Sequence, residues 1–538
     1  MSVAKNIGVA KNGGMAKKWA WWAVAAALLV AIQPAGAKTF RWAFQGDVSM
    51  MDPYGLFETM TVGFHSNIFE GLVRTGGDLT IGPALATEWS NPAPDLWRFA
   101  LRRGVTFHDG APFTADDVVF SFERVGKQGS DFTTAVATIT AVRKIDDYTV
   151  EISTDGPDPI LDRKLDIVFI MSRSWAEAHD ATEPVDLRKG VENHAARHAN
   201  GTGPFMLLSR SPDVKTVLMP FPGWWDRADH DVTEAVFTPI GSDATRVAAL
   251  LAGDLDLAYP VPLQDIPRIE RAAGLGVLKG PELRTIFLGM DQWRDELLYS
   301  SVTGANPFKD LRVRRAFYQA IDIEAIRRKI MRRAATPTAL MIGAGINGFD
   351  PELNERLAHD PDAARALLAE AGYGAGFELG MDCPNDRYVN DESICQAVAA
   401  GLAKIGVSVD LLAQTKSKYF AKVLTDDTSF YLLGWTPVTR DALDPLYNLM
   451  SSRGERGRGK FNLGRYSNPE LDALTSRIGA EMDPARRQHL IGEAFRIHQQ
   501  DIGHIPLHQQ ALAWGVRDSV HVVQRADNQF QLRYVTMD

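Results

Sequence analysis

Few residues in this chain have the types and spacing that chemistry needs. Cys383 and Cys395 are the two cysteines, with eleven residues between them. Two thiols cannot close a four-ligand zinc site, and no His, Asp or Glu cluster with ligand spacing flanks them. In an oxidising compartment the expected outcome is a disulfide, stapling the loop after one strand to the helix that follows. His194 and His198 stand at i, i+4 and could share a helix face, but Ala195 occupies the place of the glutamate in a His-Glu-x-x-His motif. Pro506 separates His504 from His508 and prevents a regular helix from bringing them together. Gly454-Glu455-Arg456-Gly457-Arg458-Gly459-Lys460 fills the first seven positions of a phosphate-binding loop, yet Phe461 replaces the hydroxyl residue that would hold magnesium. Gly406-Val407-Ser408-Val409-Asp410 lacks the second glycine of a nucleophile elbow. With no catalytic constellation assembled, the residues point to binding rather than turnover, with no metal and no cofactor.

The elements that would position such residues interleave along the chain. Segments 39–44 and 149–153 read as strands, and 115–124 has helical period. From 363 to 412 the order is helix (363–371), strand (377–381), helix (392–405), strand (407–412), the rhythm of an α/β domain. Gly372, Gly374 and Gly376 fall where the first of these helices should stop. No repeat or low-complexity tract interrupts the pattern.

The N-terminal stretch speaks to compartment. Lys17 and Lys18 precede an apolar run over 19–32 that is too short to span a bilayer. The run leads to Ala35-Gly36-Ala37, so residues 1–37 read as a signal peptide cut between Ala37 and Lys38, with Met1 or Met15 as the start. No cysteine follows the run to take a lipid anchor. Removing 1–37 takes away four lysines and no acid, moving the formal charge from −9 to −13. That balance argues against a nucleic-acid or anionic-membrane surface. A periplasmic, monomeric protein is expected.

Phe69-Glu70-Gly71-Leu72-Val73, then Leu101-Arg102-Arg103-Gly104-Val105-Thr106-Phe107-His108-Asp109-Gly110, then Phe113-Thr114-Ala115-Asp116-Asp117-Val118-Val119-Phe120-Ser121 together resemble the family 5 extracellular solute-binding proteins. The resemblance continues through Gly201-Thr202-Gly203-Pro204-Phe205, the stretch 307–322, residues 367–373 and Tyr466-Ser467-Asn468-Pro469-Glu470-Leu471-Asp472. Read on their own, Gly104 and Gly110 are turn glycines, and Thr114 with Asp117 is an N-capping pair. The resemblance implies an α/β periplasmic binding protein of type II, large cluster: two main lobes around a cleft plus an extra lobe. Lobe I would comprise 38–78, 200–286 and 503–538, the extra lobe 79–199 and lobe III 287–502. The chain would cross between the main lobes near 284–290 and 502–507.

It also implies a role. Such a protein captures a small ligand, here a dipeptide or oligopeptide, by closing the cleft, and delivers it to the permease subunits of an ABC importer with their ATPases. In the dipeptide binder an aspartate three residues ahead of an Asp-Pro, downstream of a Gly-Trp, meets the ligand ammonium. The corresponding run from Gly434-Trp435 to Asp444-Pro445 offers Asp441, or Asp444, because the loop after Trp435 is longer here. An arginine three residues after a proline meets the carboxylate, and Pro384 to Arg387 repeats that spacing. Arg387 and Asp441 are thus expected as one charge clamp from a single lobe, with Trp435 as an aromatic wall. A non-peptide solute, such as an opine, a nickel chelate or an oligosaccharide, is the alternative cargo. An exported hydrolase or a periplasmic chaperone is a remoter one.

Overall fold

The computed structural model describes residues 38–538 apart from 187 and 188. The expected signal peptide and its Ala37 lie outside the described residues. Lys38, the first described residue, places its ammonium 2.5 Å from Asp231 and donates to the Met537 carbonyl, tying it to the last strand.

An eleven-stranded mixed sheet organises the molecule. In its first half Thr39–Phe44 lies parallel to both Glu234–Pro239 and Leu257–Ala258, and Lys215–Pro220 and Phe205–Ser211 extend the edge antiparallel. In its second half Phe377–Pro384 runs parallel to Val407–Gln414 and to Phe430–Trp435. The helix Asp391–Ala403 crosses between the first two of these strands, so the helix and strand order predicted from 363 to 412 is observed. Two long antiparallel strands join the halves. The chain leaves the first half along Leu275–Met290, which pairs with Phe430–Trp435, and returns along Ile505–Arg517, which pairs with Leu257–Ala258.

The register between these crossing strands breaks between Pro281 and Thr285. A break of this kind bends the strand and turns side chains off the alternating pattern. Glu282 and Arg284 sit inside it.

A separate four-stranded antiparallel sheet is built from Ala86–Ala93, Leu96–Leu101, Thr149–Thr154 and Ile139–Asp146. The helix Ala115–Val125 begins where Thr114 N donates to Asp117 Oδ2 at 2.9 Å, the capping pair expected there. Trp97, Phe99, Val118 and Ile152 share one apolar core with Phe40 and Trp42 of the large sheet, so this sheet is fused to the first half.

Local signals explain much of the framing. Three helices open on an Asx cap followed by proline: Asp360 before Pro361–Glu370, Asn468 before Pro469–Ala480 and Asp483 before Pro484–Asp501. Each cap's side-chain oxygen accepts from a first-turn amide. The Gly201-Thr202-Gly203 motif is a close approach: a Cβ on Gly201 or Gly203 would stand 2.0 or 2.8 Å from the Ile68 carbonyl oxygen. Among the described residues no helix is long and apolar enough to cross a membrane.

Candidate ligand-binding site

The second half of the sheet delivers its strand ends to the crossing strands, and the expected ligand residues lie there. Phe377–Pro384 ends at Cys383 and Pro384, and the loop beyond it carries Arg387 into the helix at Asp391. Asp391 organises that turn by accepting from the amides of Arg387 and Tyr388, each at 2.9 Å. Cys383 and Cys395 are joined as a disulfide across the same turn, as the spacing predicts, so the Arg387 loop is closed at both ends.

The Arg387 side chain is exposed and makes no hydrogen bond or ion pair among the described residues, while its guanidinium carbon lies 5.2 Å from the centre of the Tyr388 ring. Burial by the surrounding cleft walls, and then the nearby Arg284, pull its pKa below the ordinary arginine value. A guanidinium open to water yet crowded by protein is what a cleft presents to an anionic group.

Arg284 is the second cation here, and spacing alone did not single it out. Its guanidinium carbon lies 5.9 Å from the same Tyr388 ring. Its side chain is 9% exposed, and its Nε and Nη2 each donate to Glu282 Oε1 at 3.3 Å. Burial works against the Arg284 charge, but Glu282 outweighs it and the pKa is raised. Gln510, on the returning strand, donates to Glu282 Oε2 at 2.6 Å and accepts from the Val389 amide at 3.1 Å. One hydrogen-bonded chain therefore runs from both crossing strands to the loop that holds Arg387. The one sequence signal for it was a charged pair, Glu282 and Arg284, just ahead of the apolar run from Ile286 to Met290.

Asp441 is not placed to meet a ligand. It is 0% exposed, its two oxygens accept from Arg487 Nη2 and Nη1 at 2.6 and 2.8 Å, and Asn347 Nδ2 adds a third bond at 2.7 Å. A carboxylate already neutralised by a buried bidentate arginine has no charge left for an ammonium. In this structure Asp441, expected as the acidic half of a clamp with Arg387, instead fastens the helix Pro484–Asp501 to its loop through Arg487.

Asp444 is likewise internal, accepting from Trp435 Nε1 at 2.9 Å, the Val438 amide at 2.9 Å and Asn448 Nδ2 at 3.1 Å. Burial lifts its pKa to about 6. It orients Trp435. Trp435 ends its strand half-buried, its ring 4.9 Å from that of Phe461.

Other singled-out residues take structural places. His194 and His198 do share a face, their rings stacked at 3.8 Å, but among the described residues no group of His, Cys, Asp or Glu is arranged to hold a metal. His504 and His508 are buried and held neutral by that burial. Glu455–Gly457 is a short turn in a loop, with no strand feeding it as a phosphate loop requires. Across the cleft, Arg440 Nη2 of the second half meets Asp166 Oδ2 at 2.7 Å, with both side chains buried. This ion pair spans the two halves.

Comparison with known proteins agrees with this fold. The chain is 27% identical over 501 residues to the probable deoxycholate-binding periplasmic protein YgiS of Escherichia coli, covering 88% of each chain. It is 24% identical to the Escherichia coli dipeptide-binding protein, covering 74% of this chain and 76% of that one. Among solved structures, the periplasmic binding protein DppA of Helicobacter pylori in complex with the peptide STSA superposes with a TM-score of 0.76 at 23% identity, covering 93% of this chain and 98% of that chain. Residues 80–457 match the model for "Bacterial extracellular solute-binding proteins, family 5 Middle", and the chain belongs to that family.

Proposed function

We propose that the protein is the solute-capturing subunit of an ABC importer, binding a short peptide between the two halves of the molecule and handing it to permease subunits in the membrane. The observation that carries this reading is Arg387, an unpaired guanidinium fixed at the cleft by the disulfide-closed loop and by the network from both crossing strands. A peptide's terminal carboxylate is the planar partner such a group takes bidentately. A ligand touching both halves stabilises the closed arrangement, so capture needs a population shift and no chemistry on the cargo. The Arg440 and Asp166 pair already bridges the halves and holds that arrangement together. The family's extracellular setting supports export, with Lys38 as first residue of a monomeric mature form that carries no lipid anchor and no cofactor.

One observation favours a second reading. Because Asp441 is committed to Arg487, the ammonium partner expected from the dipeptide binder is not available, and a non-peptide anionic solute would also satisfy Arg387. Calorimetry with free, C-terminally amidated and N-acetylated peptides separates the two. Peptide capture is expected to lose at least thirtyfold in affinity, about 2 kcal/mol, on amidation or in Arg387→Ala. If no free peptide binds while a small organic anion does, the second reading takes its place.

A further inference from the structure

The cleft holds more positive charge than one carboxylate requires. Arg284 and Arg387 both lie over Tyr388, at 5.9 and 5.2 Å, and among the described residues only Glu282 answers them within hydrogen-bond distance, on Arg284 alone. Among the described residues Arg284, nine-tenths buried, makes no hydrogen bond through Nη1, and the Arg387 side chain makes none. Neither side chain is placed by chance. The break in strand register at 281–285 turns Glu282 and Arg284 off the sheet's alternation, Glu282 fixes Arg284, and Gln510 links Glu282 to the backbone two residues beyond Arg387. One guanidinium held by this network, and a second on the loop that the network anchors, form a site for two negative groups close together.

We propose that Arg284 and Arg387 together form a diacid subsite, so that the preferred cargo is a peptide whose last residue is Asp or Glu. Such a residue presents its α-carboxylate and side-chain carboxylate side by side. Arg387 takes one and Arg284 Nη1 the other. This inference rests on the peptide-capture reading above and adds the class of C-terminal residue that the site selects.

The test is calorimetry on the mature chain with peptides of two to five residues, each made in a Glu-ended and a Gln-ended form. Wild type is expected to bind the Glu-ended member about tenfold or more tightly. In Arg284→Gln the two members should bind within about twofold of one another, and Arg284→Lys should keep part of the preference. A wild type that binds both members equally well overturns the diacid subsite while peptide capture stands, and this result does not depend on any variant folding. A preference that persists undiminished in a folded Arg284→Gln also overturns it. If neither member binds at any length, peptide capture falls and takes the inference with it.

Discussion

At the scale of single residues, charge decides roles. Asp441 and Arg487 form a buried pair, so removing one leaves the other uncompensated. Asp441→Ala is expected to lower unfolding free energy by about 3–5 kcal/mol, with Asp441→Ala/Arg487→Met recovering most of it, while the folded fraction binds ligand within threefold of wild type. Urea unfolding and calorimetry on the same samples check this. An affinity loss with unchanged stability would instead put Asp441 at the ligand. Asp444 gives a pH signature of its own. Its carboxyl titrates near pH 6 in the folded protein and near 4 when unfolded, so between those values the folded state holds a proton that the unfolded state has lost. Stability is therefore expected to fall as pH rises from about 4 to 6, with a cost of about 3 kcal/mol that is complete above pH 6. Asp444→Asn should lack this slope, and melting curves of the two proteins that stay parallel across that window would contradict it. The sequence led to Arg387 and to the neighbourhood of Trp435, because those lie in local runs with recognisable spacing. It could not reveal that Asp441 is spent on Arg487, a partner 46 positions away whose approach depends on how the helix Pro484–Asp501 packs against the Asp441 loop.

At the scale of elements, local chemistry wrote much of the result. The helix and strand order from 363 to 412 was readable from periodicity, and the staple between Cys383 and Cys395 from compartment and spacing. Replacing both cysteines by Ala is expected to cost about 2–3 kcal/mol of stability, because a short loop is released in the unfolded chain. Denaturant midpoints with and without reductant measure it, and equal midpoints for oxidised wild type and the double variant would refute a stabilising bridge. The site elements that escaped are on the crossing strands. Glu282, Arg284 and Gln510 converge only because the register breaks between Pro281 and Thr285, and a break in pairing between strands more than 200 positions apart leaves no periodicity to read. The charged pair just ahead of an apolar run was the one available hint.

At the scale of the whole molecule, two halves of one sheet are joined by two antiparallel strands and bridged across the cleft by Arg440 and Asp166. That arrangement makes a machine for enclosing something small. Native mass spectrometry after incubating the mature protein with a defined mixture of two- to five-residue peptides at millimolar concentration tests this most directly. One peptide mass retained per chain by wild type, and lost in Arg387→Ala at unchanged melting temperature, is the expected result. A wild-type chain that emerges bare, or an Arg387→Ala chain that retains peptide as well as wild type does, would contradict capture at this cleft.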